Sequence, residues 1–169
     1  ISRLYEKAMK DEMPAMAITD HGNMHGAIEF YSAARAQGVK PIIGCEAYIT
    51  SGSRFDRRPI SQGGPTTHHL TLLAMNYQGY ANLCRLVTQG YTEGFYHKPR
   101  IDHELLTANN EGIICLSGCV SGELSGYAMR DDIEGARKFL QQQIDVFGDR
   151  YYLEVQPHQF REQQLLNAM

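Results

Sequence analysis

Short apolar runs alternate along the whole chain with segments whose apolar residues recur at helical spacing. The apolar runs are bounded by glycine, proline or polar residues, which is typical of strands buried on both faces. The predicted strands are residues 15–18, 39–49, 69–74, 112–117 and 151–156. The predicted helices are residues 1–12, 27–38, 80–87, 102–107, 133–147 and a last one from residue 160. This alternation predicts an α/β protein whose helices connect the strands of a parallel sheet.

The size and composition of the chain fit one domain with one core. It has 169 residues, of which 43% are hydrophobic and 21% are charged. The net charge of −3 offers no basic stripe for binding nucleic acid through phosphate neutralisation alone. No apolar run reaches membrane-spanning length. We therefore expect a cytoplasmic protein without membrane partners, whose four cysteines are free thiols.

Polar residues that can bind metals collect where predicted strands end. Asp20 and His21 follow the first strand, Glu46 lies near the end of the second, and Cys119 and His158 follow later strands. In parallel α/β folds, the carboxyl edge of the sheet is where ligands and catalytic groups lie. Imidazole, carboxylate and thiolate together suit zinc, and also manganese or iron. The pattern predicts a metal site at this edge.

His69 is an apparent exception, because it lies at the start of its predicted strand. The connection before it, residues 50–67, is rich in glycine, serine and proline and contains no helical pattern. The third strand could therefore run antiparallel to the second, which would bring His69 to the same edge as Glu46. Its neighbour His68 should then point to the opposite face of the sheet.

Each of these residues also has an ordinary structural interpretation. A histidine after a strand is often a solvated loop residue, and a lone cysteine is more often a small buried hydrophobe than a ligand. Glu46 follows an apolar strand and needs a counter-charge, which could be a metal ion or an arginine or lysine. The remaining histidines are interpreted as surface residues without ligand partners: His25, His97 and His103.

Two irregular segments carry basic residues that could bind phosphate near such a site. Lys98 and Arg100 lie in the irregular segment 91–101, and Arg54 lies in the long loop before the third strand. Arginine suits two-point contacts with phosphate oxygens. The alternative is that all three residues belong to solvated, charged loops.

Five segments resemble, in order and spacing, the PHP domain of bacterial DNA polymerase III alpha subunits. They are Ala17-Ile18-Thr19-Asp20-His21-Gly22-Asn23, Pro41-Ile42-Ile43-Gly44-Cys45-Glu46-Ala47-Tyr48, His69-Leu70-Thr71-Leu72-Leu73-Ala74, Gly94-Phe95-Tyr96-His97-Lys98-Pro99-Arg100-Ile101-Asp102 and Leu116-Ser117-Gly118-Cys119. The resemblance covers nearly the whole chain. Thr-Asp-His-Gly is common to PHP proteins, whereas Lys-Pro-Arg-Ile-Asp and the Ser-Arg-Phe-Asp of residues 53–56 are similar to the polymerase branch.

The resemblance implies a distorted (β/α)7, TIM-like barrel with up to three divalent metal ions, zinc, manganese or iron, at its carboxyl edge. It also implies phosphoester hydrolysis, in polymerase-linked members a 3′–5′ exonuclease activity. Carried over residue by residue, it implies metal ligation by His21, Glu46, His69 and Cys119. It places Asp20 beside the metals as a ligand-orienting or proton-handling group, and His158 at the rim. Arg100 or Lys98 would then orient the phosphate.

The chain lacks two motifs of that family, a His-x-His motif on the first strand and an Asp-x-His motif on a late strand. It also begins at Ile1 and ends at Met169, each inside a predicted helix. We therefore expect one partial PHP domain over residues 1–169, with an open barrel and an incomplete metal site. On its own it should bind metal poorly and hydrolyse little. DNA, nucleotides, a sliding clamp and a proofreading subunit would be partners of the longer protein.

Two other functions compete with a hydrolysing module inside a replicative polymerase. One is a free-standing PHP phosphatase of small phosphate esters such as histidinol phosphate, against which the polymerase-type segments 53–56 and 96–102 argue. The other is a scaffold that docks a separate proofreading subunit. Retention of His21, Glu46, His69 and Cys119 argues against the scaffold, because scaffolding does not need metal-ligand residues.

Overall fold

The protein forms a six-stranded mixed sheet that alternates along the chain with helices, in a computed structural model that describes residues 1–168. The strands are β1 Ala15–His21, β2 Lys40–Thr50, β3 Thr67–Ala74, β4 Arg100–Asp102, β5 Ile113–Leu116 and β6 Tyr151–Tyr152. The helices are α1 Ser2–Lys10, α2 Ala27–Gln37, α3 Tyr77–Thr92, α4 His103–Ala108, α5 Glu123–Ala128, α6 Ile133–Phe147 and α7 Arg161–Ala168. The predicted α/β class is confirmed. None of these helices has the length and apolar character that crossing a membrane requires.

The strand order is β1-β2-β3-β5-β6, and β4 pairs with β2 beyond the end of β1. β1 and β4 run parallel to β2, and β6 runs parallel to β5. β3 runs antiparallel to both of its neighbours, so the prediction of a parallel sheet is wrong at this strand. The reason is the connection from β2 to β3, which contains only a short 3-10 turn, Ile60–Gln62, and returns the chain beside β2. The antiparallel hypothesis for His69 is therefore confirmed.

One side of the sheet packs against α3, α4 and α6 to form the largest apolar core. Because side chains alternate along a strand, Cys45, Ala47 and Ile49 all point to this side. They pack with leucines of β3 and of the helices, and with Phe147 at the end of α6. The intervening residues of β2 and β3, among them Glu46, point to the opposite side. The alternation thus separates an apolar side from a side that is free to carry polar groups.

Capping side chains fix where two of the helices start. Asn76 accepts a hydrogen bond from the Gly79 amide at 3.0 Å and starts α3. Asp102 accepts one from the Leu105 amide at 3.0 Å and starts α4. Each such cap contributes about 1 kcal/mol to helix stability. The second cap also places the Asp102 carboxylate at the end of β4, where it pairs with Arg54.

The structure differs from the sequence prediction at two strands. β4 lies in a segment that was predicted to be irregular, and it is three residues long. β6 covers only Tyr151–Tyr152, whereas the prediction extended to residue 156. β6 forms an edge of the sheet, and Pro157 soon follows it. β6 pairs only with β5, and β5 itself ends at Leu116, the partner of Tyr152, so the ladder ends there.

Candidate metal centre

Three side chains converge at the ends of β1, β2 and β3. The Nδ1 of His69 lies 2.7 Å from one carboxylate oxygen of Glu46, and the Nδ1 of His21 lies 3.2 Å from the other. Among residues 1–168, this is the group of potential metal ligands whose donor atoms all lie within 4.8 Å of one another. The glutamate stands in the middle, with one imidazole at each oxygen.

Strand pairing explains this convergence. His21 and Glu46 are direct partners in the parallel ladder between β1 and β2. His69 pairs with Tyr48 in the antiparallel ladder between β2 and β3, so it lies diagonally across from Glu46 on the same face. A parallel β3 would have carried His69 to the far edge. The direction of one strand therefore determines whether the third side chain reaches the other two.

The turn after His21 requires glycine at position 22. Gly22 has a φ of +65°, a region that residues with a side chain seldom adopt. A Cβ atom there would lie 2.8 Å from the Tyr48 ring and 2.9 Å from Pro99. The close approach lets the chain turn directly after His21 and keeps the imidazole at the strand end.

The chemistry of the three side chains fits a divalent metal ion. Two imidazoles and a carboxylate form a donor set that suits zinc, and manganese or iron where oxygen ligands supplement it. The side chains are 66% exposed for His21, 30% for His69 and 23% for Glu46, so the group is open on the side of His21. The contact between His69 and Glu46 is also a hydrogen bond that satisfies one carboxylate oxygen when no ion is bound. The arrangement of the three side chains therefore fits a bound metal ion, and it does not require the ion to form.

Asp20 lies next to His21 in the chain but does not join this group. Its Oδ2 accepts a hydrogen bond from the Gly26 amide at 3.1 Å, at the start of α2. This contact closes the turn that follows β1. In the structure Asp20 thus shapes the segment that presents His21, and it makes no hydrogen bond to Glu46 or His69.

Cys119 lies on the loop after β5, beside the backbone of His69. The His69 amide donates to the Ser121 carbonyl at 2.9 Å, and the Ser121 amide donates to the Cys119 Sγ at 3.4 Å. Gly118 makes this approach possible, because a Cβ there would lie 2.6 Å from the His69 carbonyl oxygen. The Cys119 thiol is nevertheless outside the three-residue group. His158 is exposed and stacks on Phe160, also away from the group.

The predicted phosphate-binding role of Arg100 is at odds with its position. Its side chain is buried, with 1% exposure, and it donates hydrogen bonds to the backbone carbonyls of Gly94, Arg54 and Asp56. Burial also lowers the pKa of Arg100. A guanidinium enclosed in this way joins two loops and does not face a substrate.

Arg54 is occupied in a similar manner. Its Nε lies 2.7 Å from Glu93 and its Nη1 lies 3.1 Å from Asp102, the residue that caps α4. The interpretation as a free phosphate clamp is therefore corrected to that of an internal ion pair. The reason is long-range pairing between segments about 40 residues apart, which local sequence does not reveal.

Comparisons with known proteins give the same family as the motifs do. The family model described as PHP domain matches residues 1–158. The chain belongs to the PHP domain family. It is 47% identical over 163 residues to the DNA polymerase III subunit alpha of Thermus aquaticus, covering 96% of this chain and 13% of that protein. It is 48% identical to the subunit of Deinococcus radiodurans and 43% identical to that of Aquifex aeolicus, covering 12% and 15% of those proteins.

Within this PHP domain, sequence reasoning missed Tyr48. Its ring contacts the His69 imidazole edge-on, with 5.2 Å between centroids, and the ring also lies beside Lys98. The signal was present, because Tyr48 lies two residues after Glu46 and strand side chains two apart share a face. Of the basic residues considered, Lys98 alone is exposed and near the candidate site.

The other histidines of the PHP domain largely follow the predictions. His25 and His97 are exposed, as predicted for surface residues. His68 contacts Thr66 at 2.9 Å and points away from Glu46. The prediction for His103 is wrong, since its Nε2 lies 2.8 Å from the Glu123 carboxylate. That partner is 20 residues away in the chain, at the first residue of α5, so the local sequence around His103 does not reveal it.

Proposed function

We propose that this PHP domain is a metal-dependent phosphoesterase module within a bacterial DNA polymerase III alpha subunit, and that it takes part in DNA replication. The proposal for the site is based on the convergence of His21, Glu46 and His69. The relatives named as DNA polymerase III subunit alpha support the parent protein. The chain spans about an eighth of the length of these relatives, so polymerisation itself belongs to other parts of such a protein.

The ligands in this proposal are the two imidazoles and the carboxylate, with Cys119 as a further ligand from the loop beside His69. Divalent metal ions, zinc, manganese or iron, would activate a water molecule and offset charge on the leaving oxygen of a phosphoester. Asp20 acts as a positioning residue, because its bond to the Gly26 amide fixes the turn after His21. No nucleophilic side chain is needed for this reaction class.

The proposed substrate is a nucleic-acid strand, from which the module removes nucleotides in the 3′–5′ direction. The proposal of this substrate rests on the polymerase-type segments 53–56 and 96–102 and on the named relatives, since a proofreading hydrolase is useful inside a replicative polymerase. DNA, nucleotides, a sliding clamp and other replicative subunits would be bound by the longer protein, which acts in the cytoplasm. The net charge of −3 supports this division, because a domain with a net negative charge does not hold nucleic acid through phosphate neutralisation alone.

We infer further that additional strands of the longer protein complete a (β/α)7 barrel. The side of the sheet that carries Glu46 also carries apolar residues that are only partly buried, Leu73, Ile114 and Leu116. Tyr152, at the edge, is 53% exposed. Further strands would bury these side chains and surround the candidate metal centre.

A replacement of His21 tests the proposed function. In the intact protein, His21→Ala should lose bound metal and manganese-stimulated hydrolysis of a single-stranded oligonucleotide. The matched control is His25→Ala, since His25 is an exposed histidine in the same turn whose ring is outside the cluster. Metal content would be measured by mass spectrometry of the purified proteins. Unchanged metal content in His21→Ala would contradict the proposal.

A scaffold that docks a separate proofreading subunit is the second candidate function. It is favoured by the burial of Arg100 and by the position of the Cys119 thiol outside the three-residue group. Both would be expected if a former active site had lost its substrate contacts. A normal metal content combined with no hydrolysis in the unmodified protein would support this alternative.

A further inference from the structure

Tyr48 connects the candidate metal centre with a lysine outside it. Its ring meets the His69 imidazole at an interplanar angle of 83°. On the same ring, the Lys98 Nζ lies 4.9 Å from the centroid and 3.4 Å from the phenol oxygen. Because both contacts involve the Tyr48 ring, this ring connects the Lys98 ammonium group with the His69 imidazole.

The charge of Lys98 is not neutralised within the described chain. No carboxylate of residues 1–168 lies within ion-pair distance of its Nζ. The neighbouring cations differ, since Arg54 is paired with two carboxylates and Arg100 is bound by three carbonyls. An ammonium has three N–H donors, and Tyr48 accepts at most one of them through a long hydrogen bond. At least two donors remain for a ligand.

The backbone around Lys98 holds the side chain in this place. The Tyr96 amide donates to the Lys98 carbonyl at 3.1 Å, which closes a tight turn around His97. His97 has a φ of +59°, a conformation that costs free energy outside glycine and is kept only where the surroundings enforce it. Pro99 then packs close to Gly22, and the chain enters β4. The lysine is thus fixed on both sides, next to the turn that presents His21.

We propose that Lys98, supported by the Tyr48 hydroxyl, forms a binding site for one oxygen of the phosphoryl group whose phosphorus reacts at the metal centre. The reaction itself rests on the proposed function. A phosphoryl group presents several oxygens, so one of them can accept a charge-assisted hydrogen bond of about 2.8 Å from Lys98 while another is left for the candidate metal centre. Lysine is a compact charge suited to a single phosphoryl oxygen.

The ligand class is an ester that presents an anionic phosphoryl oxygen. A phosphomonoester and a phosphodiester both do so, and Lys98 makes the same contact with either. The cation–π contact with Tyr48 contributes about 0.5–1 kcal/mol at an exposed position and orients the ammonium without using its donors. Lys98→Met keeps an aliphatic stem on the ring and removes the charge together with its N–H donors.

The test uses the intact protein in its manganese-loaded form and inorganic phosphate as the probe. Calorimetric titration would give the dissociation constant of phosphate for the unmodified protein and for Lys98→Met, Lys98→Arg and Tyr48→Phe. Lys40→Met is the matched control, because Lys40 is exposed at the opposite end of β2. KM and kcat would be measured with p-nitrophenyl phosphate and with bis(p-nitrophenyl) phosphate.

We expect Lys98→Met to weaken phosphate binding about tenfold or more, since one charge-assisted hydrogen bond is lost. KM should rise more than kcat falls, with metal content and melting temperature unchanged. Lys98→Arg should retain most of the affinity, Tyr48→Phe should lose less than Lys98→Met, and Lys40→Met should bind as the unmodified protein does. A KM effect confined to one ester identifies the monoester or the diester as the substrate.

Phosphate binding by Lys98→Met at unmodified strength would overturn the proposal, as would an unmodified protein that binds no phosphate. A loss of bound metal in Lys98→Met that matches its loss of phosphate binding would also overturn the proposal, because the lysine would then support the metal site. Phosphate binding that depends on Lys98, in a protein that hydrolyses neither these esters nor a single-stranded oligonucleotide, contradicts only the proposed function. Hydrolysis that does not depend on Lys98 contradicts only the binding site.

Discussion

The two sides of the sheet use the same residue types in different ways. On the open side, His21, Glu46 and His69 bring three donor groups together near solvent. On the side covered by helices, His103 makes one contact with the Glu123 carboxylate, 2.8 Å from its Nε2. The first arrangement leaves several donor atoms directed at a common point, whereas the second satisfies its groups pairwise.

Two adjacent residues of β3 show the same difference between the two sides of the sheet. His68 and His69 follow each other in β3, yet their side chains enter opposite sides of the sheet. Burial lowers the pKa of His68, and the negative charge of Glu123 opposes this shift only in part. His68 therefore favours the neutral form inside the helix-covered side. The comparison shows that histidine content alone does not distinguish the candidate metal centre from the rest of the sheet, whereas the convergence of donor groups does.

Separate replacements of His68 and His69 should give the largest difference in metal affinity between the two sides of the sheet. In the intact protein, His69→Gln should weaken zinc or manganese binding by about a hundredfold, because a direct ligand is lost. His68→Gln should change the affinity less than about twofold, apart from its effect on stability. Metal titration with a competing chelator would measure both. Equal losses in the two variants would remove the distinction between the two sides of the sheet.

The contact between His103 and Glu123 on the helix-covered side should matter for stability. Glu123→Gln should lower the free energy of unfolding by about 1 kcal/mol, because His103 loses a charged partner while it remains partly solvated. Metal affinity should not change. Urea denaturation followed by circular dichroism would measure the effect, with Glu134→Gln, at an exposed position of α6, as a control. A loss of metal in Glu123→Gln would show that the two sides are coupled.

Two cysteines should differ in their rate of reaction with iodoacetamide. Burial raises the pKa of Cys45 to about 12, so its thiol stays protonated at pH 8. Cys45 should therefore resist iodoacetamide in the folded protein, and the half-buried Cys119 should react faster. Peptide mass spectrometry after brief alkylation would give the two rates. Similar rates would indicate that the helix-covered side opens readily to solvent.

The order of strands and helices could be predicted because their signals are local. Apolar runs and helical spacing lie within each segment, and even the direction of β3 could be inferred from the missing helix before it. β4 could not be predicted, since three residues are too few to show a period and pairing with β2 is non-local. The early end of β6 depends on its position at the sheet edge.

The candidate site was predictable only where strand geometry determines it. His21, Glu46 and His69 converge because each lies at a strand end, although their role as ligands stays a proposal. The roles suggested for Arg54 and Arg100 were not supported, because partners such as Asp102 and Asp56 come from distant segments. Whether a basic residue is free or paired depends on tertiary packing, which a single sequence does not show.

The antiparallel return of β3 has a consequence for variation in length. Seven ladder pairs between β2 and β3, from Gly44 and Leu73 to Thr50 and Thr67, place His69 independently of the loop that joins the strands. The first part of that loop is tied down through Arg54 and the Asp56 carbonyl, and its two ends are joined by hydrogen bonds between Ser51 and Thr66. Doubling a flexible loop adds only about 0.6 kcal/mol to its closure cost. Insertions around residues 60–64 could therefore accumulate in this hairpin, or be engineered there, while the candidate metal centre keeps its geometry.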